Sequence, residues 1–213
     1  MVLVLLGPSF VGKTTILKKL IQKHYHGNYV STFLTDTFQR SCRFPLRIDF
    51  TPKNINRAIK SHVQEVQEEN RLLVIDFGGC CLLDYNQQEV QELLECLGNE
   101  KKIIHLTPFK DQEKSRTLLH NQVKQLYHGY DSQEHQKAIK VILNQIDETL
   151  GSKLYNQICD EKLYILNQES PMMSNDEYIK KLEQISEKIF SDLESSNRIT
   201  KNSSLHLDKE SSL

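Results

Sequence analysis

The sequence has almost no net charge and no long hydrophobic run, and each shortage excludes a class of protein. Its 27 basic and 28 acidic side chains leave a formal net charge of −1, so no overall field favours nucleic acid or a membrane surface. No apolar run approaches the roughly 20 residues that a membrane-spanning helix needs. The chain of 213 residues, 38% of them hydrophobic, is long enough for one sizeable core. We therefore expect no nucleic-acid partner and no membrane segment.

Cysteine is also scarce, with five residues at positions 42, 80, 81, 96 and 159. The number is odd and the spacing matches no metal site, so neither a disulfide framework nor a zinc site is indicated. The adjacent Cys80 and Cys81 leave a redox role open, but scattered thiols are typical of a reducing compartment. The N-terminus reads as a core strand without a signal-peptide pattern. We expect a cytoplasmic protein.

What the sequence does contain is a phosphate-binding motif near its start. The nine residues Gly7-Pro8-Ser9-Phe10-Val11-Gly12-Lys13-Thr14-Thr15 contain G-x-x-x-x-G-K-[ST], with every fixed position matched between Gly7 and Thr14. Residues 1–6 are an apolar run that predicts a buried strand, and residues 15–23 carry apolar side chains at helical spacing. Strand, loop and helix is the context that this motif requires. The sequence therefore predicts that these nine residues bind a nucleoside triphosphate.

The residue types in this loop suit phosphate chemistry. Gly7 and Gly12 let the backbone curl so that its N–H groups surround phosphate oxygens, and the helix N-terminus adds partial positive charge. Lys13 would reach the β- and γ-phosphates, and the Thr14 hydroxyl would bind Mg²⁺. The alternative, an ordinary strand-to-helix turn, is disfavoured by the flanking elements.

Asp76 is the second candidate for the metal. It follows a run of four apolar residues, which predicts a buried strand with a carboxylate at its C-terminal end. Ligands of open α/β sheets bind at that edge, so Asp76 is predicted to hold Mg²⁺, directly or through water, opposite Thr14. The alternative is a carboxylate that only ends a strand.

Three arginines, at positions 40, 43 and 47, lie within eight residues after the second predicted strand. Guanidinium groups bind phosphate oxygens through paired hydrogen bonds. Arg40 and Arg43 are therefore candidates for binding a second phosphate group, carried by an acceptor. A solvated basic loop is the alternative.

Further strands and helices alternate along the chain, with strands predicted at residues 29–34, 71–76, 102–107 and 163–167. This alternation predicts a three-layer α/β/α fold with a mostly parallel sheet. Together with the motif at residues 7–15, the chain resembles the phosphate-loop NTPases, which implies their fold. Residues 133–158 are predicted to be helical throughout, because their apolar side chains keep one helical period. We assign residues 1–194 to a single domain. Serine and charge dominate residues 195–213, where we expect a disordered polar tail.

The segment from Leu6 to Leu20 resembles the opening of guanylate kinases, whose loop usually reads G-P-S-G-V-G-K-[ST] and has glycine where this chain has Phe10. Arg40-x-x-Arg43 is similar to the R-x-x-R pair with which that family binds the phosphate of the acceptor nucleotide. Residues 103–108 followed by Arg116 look like its strand, proline and lid arginine. Residues 164–167 resemble a late strand whose asparagine, here Asn167, sits near adenine.

This resemblance implies a kinase that transfers the γ-phosphoryl group of ATP, or of GTP, to a small phosphorylated acceptor with the help of Mg²⁺. Lys13, Asp76 and Arg116 would then be the catalytic side chains. The sequence departs from that family at two places. Between Arg43 and the strand that ends at Asp76, the segment that would read the acceptor base is shortened to one helix. Residues 118–124 contain no arginine, so the second and third lid arginines of that family are missing. The acceptor therefore remains unnamed.

Small GTPases are the main competing class and would imply a protein partner; another phosphate-loop ATPase, or a relative that only binds nucleotide, is a third alternative. Asp76-Phe77-Gly78-Gly79 fits their D-x-x-G motif, and Asn144-Gln145-Ile146-Asp147 differs by one residue from N-K-x-D. In that family the last aspartate reads guanine, and residues 140–143 would form the strand that leads into the motif. The helical period of residues 139–154 and the helix predicted at residues 52–69 argue against it.

Overall fold

The computed structural model describes residues 1–24, 30–34, 51–68, 72–77, 82–129, 132–166 and 175–210, and in these residues helices separate five strands, with three helices in succession before the last strand. The strands are β1 (Val2–Leu6), β2 (Val30–Leu34), β3 (Leu72–Asp76), β4 (Lys101–Thr107) and β5 (Glu161–Tyr164). The helices are α1 (Lys13–His24), α2 (Pro52–Glu68), α3 (Gln87–Leu97), α4 (Gln112–Leu126), α5 (Gln133–Gly151), α6 (Lys153–Ile158) and α7 (Asn175–Glu210).

The five strands form one sheet in the order β2-β3-β1-β4-β5, and all four neighbouring pairs are parallel. β1 therefore lies at the centre, and its five residues are all buried. In the register of β1 and β3, Leu5 is the partner of Asp76. The loop that leaves β1 and the carboxylate that ends β3 consequently meet at one edge of the sheet.

Side chains alternate between the two faces of each strand and so build two cores. One core joins the sheet to α1 and α7 through Leu3, Leu5, Val74, Ile104, Ile16, Leu17, Leu20, Leu182, Ile189 and Leu193. The other joins it to α2, α3 and α6 through Val2, Val4, Leu6, Leu73, Ile75, Ile103, Ile55, Ile59, Val63, Leu93, Leu97 and Tyr155. The predicted three-layer α/β/α fold with a parallel sheet is confirmed.

Local signals explain several helix ends. Thr51 precedes Pro52 at the start of α2, and the Asn54 N–H lies 3.4 Å from the Thr51 hydroxyl oxygen, as expected for an N-cap. Asn86 and Glu89 form a capping box at the start of α3. The same helix ends at its C-cap residue Gly98, whose φ is 76°. Such signals act over three or four residues, which is why the sequence locates these ends.

The helix predicted over residues 133–158 is two helices in the structure. α5 ends at Gly151, Ser152 adopts an extended conformation with ψ at 118°, and α6 begins at Lys153. Glycine is a poor helix former because it loses the most backbone entropy, so the continuous apolar period does not keep the helix whole there. α4 and α5 pack on each other around Leu119, Val123, Ile146 and Leu150, a third and separate cluster.

The expectation of disorder from Ser195 onward differs from the structure, in which α7 continues to Glu210. No glycine or proline occurs between residues 175 and 213, so the backbone meets no residue that stops a helix. None of the helices in the described ranges is both long and apolar enough to cross a membrane.

Candidate nucleotide-binding site

The predicted phosphate loop connects the end of β1 to the start of α1, and its two glycines are both required. The φ angles of Gly7 and Gly12 are 141° and 96°, in the region that favours glycine. A Cβ atom on Gly7 would collide with the Leu106 carbonyl oxygen, and one on Gly12 would lie 2.5 Å from Leu182 Cδ1. Backbone conformation and lack of space thus demand the residue that the motif prescribes.

Phe10 occupies the position at which the guanylate kinase pattern has glycine. Its φ of 67° lies in the left-handed region, where a bulky side chain is strained. The Val11 N–H donates to the Pro8 carbonyl at 3.4 Å and closes the turn that contains Phe10. The chain therefore keeps a glycine-like backbone at this position despite the larger side chain, which is 36% exposed.

Lys13, the first residue of α1, is only 6% exposed. Its Nζ donates to the carbonyl oxygens of Gly7 at 2.9 Å and Pro8 at 3.0 Å, and it lies 4.0 Å from Asp76 Oδ1. The ammonium group is thereby held against the loop that surrounds the predicted phosphate position. Such a buried charge can act on phosphate oxygens with little screening by solvent.

Thr14 and Asp76, the two predicted metal ligands, are in direct contact. The Thr14 hydroxyl donates to Asp76 Oδ2 at 2.8 Å across 62 residues of sequence. Two oxygen ligands of an octahedral Mg²⁺ at about 2.1 Å lie about 3 Å apart, so this spacing suits adjacent positions around one ion. In the described residues no three His, Cys, Asp or Glu side chains cluster as a metal site. Any Mg²⁺ here would take its other oxygens from phosphates and water.

Arg116, the predicted lid arginine, lies on α4 and is paired within the α4–α5 hairpin. Its Nε donates to Asp147 Oδ1 at 2.9 Å and its Nη1 contacts Glu113. His120 Nε2 is also 2.9 Å from Asp147 Oδ1. These carboxylates raise the pKa of Arg116 above its already high value, so it stays charged. Asp147 is thus a shared partner for two side chains of α4.

The GTPase interpretation of residues 144–147 is wrong. Asn144 and Asp147 lie in the middle of α5, and residues 140–143, predicted in that alternative to be a strand, are helical as well. A base-reading N-K-x-D motif needs the loop after a strand, where both side chains can converge on a ring. Here Asp147 instead contacts Arg116 and His120.

Several predicted site residues lie outside the described ranges. They are Arg40 and Arg43 for the acceptor phosphate, Asn167 near the base, and Gly78 and Gly79 of the D-x-x-G motif. The roles assigned to them stay predictions.

The sequence interpretation missed two side chains of α7 that contact the loop. Tyr178 donates its hydroxyl to the Val11 carbonyl at 3.2 Å, and Leu182 packs against Gly12. The only signal in the sequence was their place on the apolar face of the last helix, which reads equally well as ordinary core.

His105 of β4 is a further buried group near the site. It is 3% exposed and its ring packs edge-on against Tyr155, with centroids 5.6 Å apart. Burial lowers the pKa of His105 to about 4, and the charge of Lys162 acts in the same direction. The ring is therefore neutral at neutral pH.

Solved structures with the same architecture are known, although no similar sequence was found. No model of a known protein family matches this chain, and no curated protein is similar to it in sequence. Among solved structures, shikimate kinase from Bacteroides thetaiotaomicron has a TM-score of 0.50 at 16% identity, covering 89% of this chain and 98% of that one. The chain shares the α/β fold of that solved structure.

The structure of APE1195 is similar too, with a TM-score of 0.52 at 18% identity, covering 92% of this chain and 95% of that one. Both likenesses run over nearly the full length of the chain. At such low identity they establish the architecture and leave the reaction to be argued from the site.

Proposed function

We propose that this chain is a phosphotransferase that moves the γ-phosphoryl group of a magnesium–nucleoside triphosphate to a small acceptor. The observation that carries the proposal is the meeting of Lys13, Thr14 and Asp76 at the carboxyl ends of β1 and β3. These are the cation and the two oxygen ligands that phosphoryl transfer needs, assembled behind a loop with the required glycine conformations.

The donor half of the site works by position and charge. Loop N–H groups and the N-terminus of α1 would bind phosphate oxygens, and Lys13 would exchange its loop carbonyls for the β- and γ-phosphates. Thr14 and Asp76 would hold Mg²⁺, which supplies charge neutralisation on those phosphates when bound. Since these groups are largely in place already, little reorganisation is needed as charge develops on the transferring group.

We propose that Arg116 completes the donor site from the α4–α5 hairpin. This hairpin has its own apolar cluster around Leu119 and Ile146, and Leu118 of α4 packs against the core between the sheet, α1 and α7. A shift of the hairpin against the sheet would keep its own cluster intact and would have to release Leu118. To reach a triphosphate, Arg116 must give up Asp147. Phosphate oxygens, which accept paired hydrogen bonds from guanidinium, are suitable replacements.

For the acceptor, we propose a small molecule that carries a phosphate group, bound by Arg40 and Arg43 as the guanylate kinase resemblance implies. The likeness to shikimate kinase favours a second candidate, an acceptor that offers a hydroxyl group and carries no phosphate. The two candidates differ in whether the arginine pair matters.

A location in the cytoplasm is also part of the proposal. Cys96 and Cys159 are free thiols, and burial raises the pKa of both. Partly buried, protonated thiols are unreactive and suit a reducing compartment.

One assay tests the reaction and the acceptor together. Turnover of MgATP and MgGTP is measured with each nucleoside monophosphate, with hydroxylated carboxylic and sugar acids, and with water alone. We expect one acceptor to raise turnover at least about tenfold over hydrolysis. Turnover that no acceptor accelerates, in an enzyme that still binds the triphosphate, would contradict the phosphotransferase proposal.

The arginine pair then decides the acceptor class. With a phosphorylated acceptor, Arg40→Ala and Arg43→Ala should each lower kcat/KM about tenfold or more, because each removes a charge-assisted hydrogen bond to phosphate. Affinity for the triphosphate should stay unchanged. If the best acceptor carries no phosphate and both variants keep wild-type kinetics, the phosphorylated-acceptor proposal is wrong while the kinase proposal stands.

A further inference from the structure

The last helix, α7, contacts the phosphate loop through a side-chain hydrogen bond. Tyr178 of α7 donates its hydroxyl to the carbonyl oxygen of Val11 at 3.2 Å, across 167 residues of sequence. Both residues belong to the core between the sheet, α1 and α7, where Tyr178 is 7% exposed and Val11 is fully buried. This is a specific polar contact in a layer whose core is built from apolar side chains.

The contact has a geometric consequence for the next residue. In a trans peptide the carbonyl and the following N–H point in opposite directions, and the described chain contains no cis peptide. With the Val11 carbonyl directed at α7, the Gly12 N–H is directed away from α7. A phosphate bound in the loop on the side away from α7 would accept a hydrogen bond from this N–H.

Neighbouring contacts hold this part of α7 against the loop and α1. One turn beyond Tyr178, Leu182 lies so close to Gly12 that a Cβ there would be 2.5 Å from Leu182 Cδ1. Next to Leu182, Glu183 pairs with Lys19 of α1 at 2.7 Å. α7 is thus anchored both to the loop and to the helix that the loop begins.

The loop needs such support because part of it is strained. Phe10 directly precedes Val11 and adopts a φ of 67°, a conformation that costs a side-chain-bearing residue free energy. A rotation of the peptides around Val11 is an obvious way to relieve that strain. Burial raises the pKa of Tyr178 far above its usual value of about 10, so its hydroxyl remains a donor at any physiological pH.

We propose that Tyr178 is a positioning residue of the phosphate loop, whose hydroxyl holds the Val11 carbonyl outward and so aims the Gly12 N–H at the triphosphate. The inference rests on the proposed nucleotide-binding function and deepens it. Tyr178 acts through the backbone and does not itself touch the nucleotide.

The test compares Tyr178→Phe with Tyr85→Phe. Tyr85 is also 7% exposed, and its hydroxyl lies 3.1 Å from Asn56 Oδ1 and 3.4 Å from the Pro52 carbonyl oxygen, in the layer on the opposite face of the sheet. Each variant removes one buried hydroxyl and keeps the ring. Affinity for MgATP and MgGTP is measured by calorimetry, stability by thermal unfolding, and the Gly12 amide by ¹⁵N NMR without and with nucleotide.

We expect both variants to lose similar stability, but only Tyr178→Phe to bind the better nucleotide about three- to tenfold more weakly, the range for one neutral hydrogen bond. In wild type the Gly12 amide proton should move downfield when phosphate accepts its hydrogen bond, and this shift should shrink in Tyr178→Phe alone. Equal affinity and an unchanged Gly12 shift in Tyr178→Phe would overturn the proposal, as would an equal loss of affinity in Tyr85→Phe.

A Lys13→Ala arm separates this inference from the function on which it rests. If the wild type binds neither triphosphate, or if Lys13→Ala binds as well as wild type, the nucleotide site itself is wrong. If Lys13→Ala loses binding while Tyr178→Phe keeps it, only the positioning role is wrong.

Discussion

The phosphate loop and the α4–α5 hairpin each present a cationic side chain predicted to act on a triphosphate, but they hold it in different ways. Lys13 is 6% exposed and contacts two carbonyls of its own loop. The Arg116 side chain is 38% exposed and pairs with Glu113 and Asp147, both on the hairpin. Lys13 is buried beside the loop on which it is predicted to act, whereas Arg116 is paired with carboxylates of its own hairpin.

The two cationic side chains also differ in the packing of the elements that carry them. The loop is supported by residues of β1, α1 and α7 that share one continuous core. The hairpin is held together by its own cluster of Leu119, Val123, Ile146 and Leu150 and contacts the main core through Leu118. A loop built into the main core is preformed, whereas a unit with a separate core can move as a rigid body. The comparison predicts large effects from changes in the loop and smaller ones from changes in the hairpin.

Lys13→Ala should have the largest effect, weakening triphosphate binding on the order of 100-fold because a buried charge loses its contact with phosphate. Calorimetry with MgATP and MgGTP measures the loss. Thermal unfolding and far-UV circular dichroism serve as controls that the sheet and helices persist. Nucleotide affinity equal to wild type in a folded variant would show that the buried lysine is structural.

Asp76→Asn should follow, reducing Mg²⁺-dependent turnover on the order of 100-fold, because the amide has lost the charge that holds the cation. Binding of nucleotide without Mg²⁺ should be nearly unchanged, since Asp76 is expected to reach the phosphates only through the metal. The measurement is turnover across a Mg²⁺ titration. A wild-type rate at saturating Mg²⁺ would show that Asp76 only ends a strand and does not bind the catalytic metal.

Changes in the hairpin should act more weakly and in opposite directions. Asp147→Ala releases Arg116 from an exposed pair and should strengthen triphosphate binding by about two- to fivefold, given the small worth of such pairs.

Arg116→Ala should lower kcat about tenfold with little change in stability. Glu148→Ala, an exposed neighbour on the same helix, is the matched control. An unchanged kcat in Arg116→Ala would remove the hairpin from the reaction.

The smallest expected effect concerns strain within the loop. Phe10→Gly and Phe10→Ala both remove the ring, but only alanine keeps a Cβ at a φ of 67°. The glycine variant should therefore be more stable by about 1 kcal/mol in the free energy of unfolding, the usual cost of a left-handed side-chain-bearing residue. Urea unfolding of the two variants measures it. Equal stability would mean that the loop relaxes when the ring is absent.

Short-range patterns predicted much of this molecule correctly. The strand before Gly7, the helix after Lys13 and the strand ending at Asp76 all follow from residues close together in the chain. Hydrophobic periodicity and capping residues encode such elements locally. The same reasoning failed at Ser152 and beyond Ser195, where a helix break and a helix continuation depend on backbone preferences that periodicity does not report.

The sequence by itself determined the phosphate loop and the residue types that a triphosphate and Mg²⁺ require, because that information lies within nine adjacent residues and one strand end. Only the tertiary structure decided the partners. Thr14 meets Asp76 because β1 and β3 are neighbours in register, and Asp147 meets Arg116 because α4 packs on α5. Tyr178 meets Val11 because α7, which follows all five strands in the chain, packs against the loop that follows the first strand. Contacts across tens of residues depend on strand order and helix packing, and no local pattern records either.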